Sequence, residues 1–157
     1  MNSALRFIQV FALGTWVGSI IYLSFVVAPG AFGVLQSRDQ AGLMVGYSLT
    51  RLHYMGMVAA VLYLVAGVVL AQSVKGFVQP TMLGVILMLL LTIVSQTRVT
   101  PRLAELRTAM VSVDATPKEN PLRVEFERLH QTSVRIEVVV LLLGIAALFL
   151  TVRNAAK

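Results

Sequence analysis

The sequence predicts an all-α integral membrane protein: a four-helix bundle whose third and fourth helices extend beyond the bilayer as a hairpin. Three observations carry this. The 157 residues are 57% hydrophobic and 13% charged, whereas soluble domains are about 45–50% apolar and about 25% charged. The apolar residues fall into four long blocks. Each block approaches the ~20 residues that a helix needs to cross the hydrocarbon layer.

The first span is read at about 7–29, from Phe7 to Pro29. Arg6 ahead of it resembles the start of a signal peptide, but the apolar stretch is too long and no clear cleavage site follows, so it is read as retained. Pro29 and Gly30 are expected to end it. From Ala31 to Thr50 the chain is less apolar, and Phe32, Leu35, Leu43 and Tyr47 suggest a short interfacial helix. The second span is placed at about 51–72, with a tight turn over Ser73, Val74, Lys75 and Gly76. The third is placed at about 77–96, with Pro80 in its first turn.

The third helix is expected to run on past the membrane, because Leu103, Leu106, Ala109 and Met110 recur at helical spacing; Pro101 would bend it at the exit. A polar tip spans Ser112 to Asn120. Asn120-Pro121 then reads as an N-cap with proline at the first helical position. The apolar run from Val138 to Val152 is too short to span alone. The fourth span is therefore set at about 133–153, which draws Arg135 and Glu137 into the bilayer margin, and the extramembrane hairpin at about 98–132.

The whole chain is read as one membrane domain with both termini on one side, in the cell (inner) membrane. The net charge is +6, but Lys and Arg flank the apolar blocks rather than forming a dense run. That pattern suits anionic lipid and sets orientation; it does not suit nucleic acid. Nine Lys/Arg fall on the hairpin side (Arg38, Arg51, Arg98, Arg102, Arg107, Lys118, Arg123, Arg128, Arg135) and four on the terminal side (Arg6, Lys75, Arg153, Lys157). The count puts the hairpin in the cytoplasm. There is no cysteine, so thiolate metal sites, disulfides and cysteine nucleophiles are excluded.

Two histidines invite chemistry. His53 opens the second span and His130 precedes the fourth, both toward the hairpin. Two such rings at similar depth would clamp a haem b iron or a metal ion; the simpler reading has each bonding a backbone carbonyl or a lipid headgroup. His130, Ser133 and Glu137 share one helix face. Glu137 would orient a histidine proton or receive a cation, or be neutralised by Arg135, Arg98 or Arg51. Arg98 and Arg102 would hold an anionic headgroup or a propionate-bearing ligand, or merely anchor the helix by snorkelling. Gly14 and Gly18 form G-x-x-x-G, which permits close helix packing within the bundle or between protomers; Trp16 between them should face elsewhere. Met44, Met55 and Met57 near His53 suit Cu(I), although scattered methionine usually fills cores. No nucleophile–base set, phosphate loop or H-E-x-x-H is present, so an enzyme would need a cofactor.

Several motifs coincide: Ala28-Pro29 followed by Phe32, Pro101-Arg102 at the third exit, and F-x-x-L-H-x-x-S over Phe126, Leu129, His130 and Ser133. With four spans, the chain resembles the transmembrane protein 205-like family, a bacterial domain of unknown function, over almost its whole length. It is distantly similar to copper-resistance D-type membrane proteins and to the haem-binding membrane protoporphyrinogen oxidase. The resemblance implies a multi-pass protein without an assigned reaction, and it makes haem or metal at the histidines worth testing. Glu137 stands where an amide would be expected. The sequence reading is of a protein that binds or moves a small ligand or supports a larger membrane complex, with a lipid bilayer around it and a homo-oligomer possible in principle. The alternative is a haem- or metal-binding redox protein using His53 and His130.

Overall fold

The computed structural model describes residues 2–72 and 79–155. Four long helices make up the bundle: α1 (Asn2–Val34), α2 (Arg38–Ala71), α3 (Pro80–Met110) and α4 (Pro121–Ala155). They pack in a ring, α1 on α2, α2 on α3, α3 on α4 and α4 on α1. The expected turn at Ser73–Gly76 and the expected start of the third span at Phe77 lie outside the described residues.

The outer faces are apolar. Val58, Leu62, Val65 and Val69 on α2, Leu83, Leu87 and Leu90 on α3, and Leu142, Ile145 and Phe149 on α4 are all exposed. A contiguous surface of this kind is untenable in water and is what lipid requires. Helices are the element that can stand there, because their peptide groups bond within the segment. The protein is a multi-pass membrane protein.

Each of the four helices has 31 to 35 residues. At about 1.5 Å per residue that is roughly 50 Å, well beyond a hydrocarbon core of about 30 Å. That length leaves each helix long enough to extend beyond the hydrocarbon layer. The segment from Arg38 to Thr50, expected as a separate interfacial helix, is the first part of α2. Ser37 starts that helix, its Oγ accepting from the Gln40 N–H at 3.4 Å.

Pro29 does not end α1, and Pro101 does not interrupt α3. Each follows a π-helical turn, Leu23–Val27 and Ser95–Val99. The Ala28 N–H reaches back to the Leu23 carbonyl, and the Thr100 N–H to the Ser95 carbonyl. A proline lacks its N–H and crowds the carbonyl four residues back. Widening the preceding turn relieves that crowding and lets the helix continue.

Asn120 begins α4 as expected, its Oδ1 accepting from the Leu122 N–H at 2.9 Å. Ahead of it the hairpin tip is fastened to α2. Asp39 accepts from Ser112 Oγ at 2.6 Å and from the Val113 N–H at 3.0 Å. Arg107 lies against Gly42, where a Cβ would come within 2.8 Å of the guanidinium. Leu106, Val113 and Phe126 form a small core beneath the tip.

The main core is built by Leu13, Trp16 and Ile20 from α1, Ala60 and Tyr63 from α2, Val85 and Met88 from α3, and Val140 and Ala147 from α4. The glycines that bring helices together are not the expected pair. A Cβ on Gly14 or Gly18 would meet nothing within 4 Å, so both face outward. On Gly56 it would stand 2.3 Å from Trp16 Nε1, and on Gly144 2.7 Å from Val17 Cγ2. Trp16 faces away from the Gly14–Gly18 side, as expected, and fills the space over Gly56.

Candidate functional site

One inward face of α2 carries Leu52, His53, Gly56, Ala60, Tyr63 and Gly67 at helical spacing. Every member but His53 and Tyr63 is apolar or lacks a side chain, so His53 is placed in the bundle by the same periodicity that builds the core. It is fully buried. Gln96 comes from the π-helical turn of α3 and Glu137 from the inner side of α4.

Both ring nitrogens of His53 are engaged. Nε2 lies 2.6 Å from Glu137 Oε1, and Nδ1 lies 2.8 Å from Gln96 Oε1. The Glu137 side chain is only 15% exposed. An amide oxygen only accepts, so with Gln96 oriented this way Nδ1 carries a hydrogen and donates it. The short Nε2···Oε1 contact then requires a proton of its own. Either the ring is an imidazolium beside a carboxylate, or the carboxyl keeps the proton and donates it to a neutral ring. In both arrangements the cluster is neutral overall. Losing the shared proton leaves a carboxylate facing a nitrogen lone pair, with a net charge of −1 in surroundings of low polarity, where such a charge is costly.

The neighbourhood holds further polar groups. Thr92, Ser95 and Ser133 are buried. Ser95 Oγ, Thr100 Oγ1 and Trp16 Nε1 are buried side-chain atoms without a protein hydrogen-bond partner. An unmet buried donor or acceptor costs about 1–3 kcal/mol. Trp16 covers Gly56, one helical turn from His53, so α1 closes the cluster on its fourth side.

The other residues singled out from the sequence stand elsewhere. His130 lies on the hairpin with its ring stacked on Phe126, the two planes within 2° of parallel. It is outside the apolar belt; desolvation, then nearby Arg107, holds its pKa below the usual histidine value. Seven residues separate it from Glu137, or about 10 Å of helix rise. The two histidines therefore do not face one iron or metal ion in this arrangement. Among the described residues no group of three or more His, Cys, Asp or Glu converges on a metal-sized site. Met44 and Met55 are exposed while His53 points inward.

Glu137 takes His53 as its partner rather than Arg135, Arg98 or Arg51; Arg51 lies over the Tyr47 ring. Arg98 is exposed. Arg102 spends its guanidinium on Glu125, with bonds of 2.9 and 3.1 Å, and on Glu105 at 3.1 Å. Gln96 was missed as a site residue. The available signal was an amide at the end of an apolar run, at the depth of His53.

A family model for a domain of unknown function, DUF4149, matches residues 11–112. That is more than half of the chain, and the protein belongs to this family. No curated protein and no solved structure matches it. The match covers α1 from residue 11 and all of α2 and α3, and with them His53 and Gln96; Glu137 lies on α4, beyond it.

Proposed function

We propose that the protein binds or moves a small ligand within the membrane, and that proton uptake and release at the His53–Glu137 pair drives the change. The observation that supports this most is the 2.6 Å imidazole–carboxyl contact on the inner side of a lipid-facing bundle. Ionisable groups placed there are expensive, and they mark proton relays and ion paths. Removing the shared proton turns attraction into repulsion, so the contact opens as the cluster gains charge. That is a switch with two states, set by one proton.

On this reading the protein lies in the cell (inner) membrane with the hairpin end in the cytoplasm, following the Lys/Arg count. A second copy or a larger membrane complex would seat against the outward Gly14 and Gly18. The motif resemblance to transmembrane protein 205-like and copper-resistance proteins would, if it holds, favour the redox alternative, in which haem or copper is held at His53 or His130. That alternative asks His53 to release Gln96 or Glu137 first.

Two measurements test the proposal. Protein reconstituted into vesicles with a trapped pH dye is driven by a potassium diffusion potential. Proton entry above that of empty vesicles is expected, and Glu137→Gln should abolish it while the variant keeps its detergent melting temperature within a few degrees. Equal flux in Glu137→Gln and the parent protein contradicts the reading. A visible spectrum of the purified protein with a Soret band that disappears in His53→Ala would favour the haem alternative instead.

A further inference from the structure

The His53 ring has no exposed surface, and the Glu137 side chain beside it is 15% exposed. A proton that reaches the ring must therefore pass by way of groups packed around it. Of the two residues bonded to the ring, Glu137 titrates and Gln96 does not. Trp16, which closes over Gly56 from α1, does not titrate either. The surroundings of the pair differ between its two sides.

Toward the hairpin, hydroxyl groups follow one another. Ser95 adjoins Gln96 and is fully buried, and its Oγ has no partner in the protein. Thr100 stands one π-helical turn further on, its N–H bonded to the Ser95 carbonyl. Its Oγ1 is a second buried atom without a protein partner. On α4, Ser133 lies about one turn from Glu137 toward the hairpin and is buried. Pro101 supplies no N–H, so the π-helical turn also leaves a backbone carbonyl without its helix donor. A hydroxyl both donates and accepts. Unmet hydroxyls in a buried place are costly, and a water with two or more such partners relieves them.

Toward the chain termini the route closes. Trp16 Nε1 is buried and unmet, but an indole only donates and passes no proton on. Thr92 is buried, and beyond it α3 has no polar residue from Leu91 back to Met82. On α4 none occurs from Val138 to Leu150. Leu13, Val17, Ala60, Val85, Met88 and Val140 fill the interior there. Polar lining returns at Gln9, Tyr63, Thr81 and Thr151, around a cavity of about 550 Å³. Thr151 is fourteen residues beyond Glu137, about 21 Å of helix rise.

We propose that Ser95 and Thr100 are proton-relay residues, and that with Ser133 and bound water they connect the His53–Glu137 pair to the hairpin side alone. The inference rests on the proton exchange proposed for that pair and adds its direction. Each transfer balances. A hydroxyl oxygen takes a proton from water on one side and releases its own hydrogen to the next acceptor. The series ends on Glu137 Oε1 or His53 Nε2, and the solvent at the hairpin gives up one proton. Nothing is oxidised or reduced.

Exchange of the His53 ring N–H with water tests the route, read by saturation-transfer NMR on nitrogen-15-labelled His130→Gln protein in micelles. Ser95→Ala combined with Thr100→Val should slow it about tenfold, a barrier rise of about 1.4 kcal/mol. Thr100→Val alone should slow it by a smaller factor, and Thr100→Ser, which keeps the hydroxyl, should retain the parent rate. Thr81→Val, beyond the apolar layer, should leave the rate unchanged. Neither relay hydroxyl has a protein partner to lose, so the melting temperatures should stay within a few degrees. Should the double variant fail to fold, Thr100→Val against Thr100→Ser carries the test. No detectable exchange in the parent, relay variants that exchange as the parent does, or an equal slowing by Thr81→Val overturns the proposal. The rate is read without transport across a membrane. Failed vesicle flux with a relay that behaves as expected therefore strikes the switch, and normal flux with indifferent relay variants strikes the route.

Discussion

Two polar clusters between helices, one at the hairpin and one in the apolar belt, are built on opposite terms. In the hairpin, Asp39 is held by short bonds from Ser112 and Val113 within reach of water. Those bonds, the Ser112 one foremost, and the charge of Arg107 lower its pKa from 3.8. In the apolar belt, His53 and Glu137 lie together with Gln96 and no water-exposed face on the ring. The first cluster fastens a loop and loses little if it opens, because solvent replaces its bonds. The second has no such substitute, so each member's state is dictated by the others. What separates them is the surrounding medium, not the residue types.

That contrast can be broken most severely at Glu137. Glu137→Ala leaves the buried His53 Nε2 with no partner, and stripping one member from a buried pair costs about 3–5 kcal/mol. Denaturant unfolding in micelles should show the loss. The double replacement His53→Leu with Glu137→Leu should recover most of it, since an apolar pair of similar bulk needs no proton.

Next in size is the packing that encloses the cluster. Gly56→Ala forces a Cβ into Trp16 and should cost about 1–3 kcal/mol. Gly14→Ala meets nothing and should be neutral or stabilising by up to about 1 kcal/mol. A pair of melting curves checks both.

Asp39 gives a smaller effect with a sign in pH. Its folded pKa lies below its unfolded value of 3.8, so its contribution is complete above about that pH. It is lost as the pH falls through the folded value. Asp39→Asn should remove about 1–2 kcal/mol at neutral pH, in line with the loss of charge-assisted bonds. It should also flatten the acid limb of a stability–pH profile. Least of all, Arg102→Ala should leave the melting temperature unchanged within error, because its ion pairs with Glu105 and Glu125 are exposed and screened.

The helices were legible because lipid imposes a length and a composition that a one-dimensional scan detects. Their ends were less so. Pro29 reads as a stop, yet a π-helical turn just before it lets α1 run on to Val34, and nothing in local composition announces that turn. Arg38–Thr50 reads as a separate interfacial helix, and only the Ser37 cap and the contact of Asp39 with Ser112 and Val113 show it as the start of α2. At the site, the depth of His53 and Glu137 was legible, but Glu137 reads with the face of His130 and Ser133 or with a nearby arginine, and its pairing with His53 does not follow from the sequence. Which residue pairs across helices depends on the rotation of each helix about its axis, which Trp16 against Gly56 and Val17 against Gly144 settle. Gly14 and Gly18 form a motif yet face outward, whereas the glycines that pack, Gly56 and Gly144, stand in no motif.

The proton held by His53 decides the state of the pair. Nitrogen-15 NMR of the histidine-labelled protein in a His130→Gln background leaves one ring to observe, since the chain has two histidines. The arrangement predicts a hydrogen on Nδ1 facing Gln96, with Nε2 and Glu137 Oε1 sharing a second proton. A neutral ring with a bare Nδ1 and a hydrogen on Nε2 alone would contradict it.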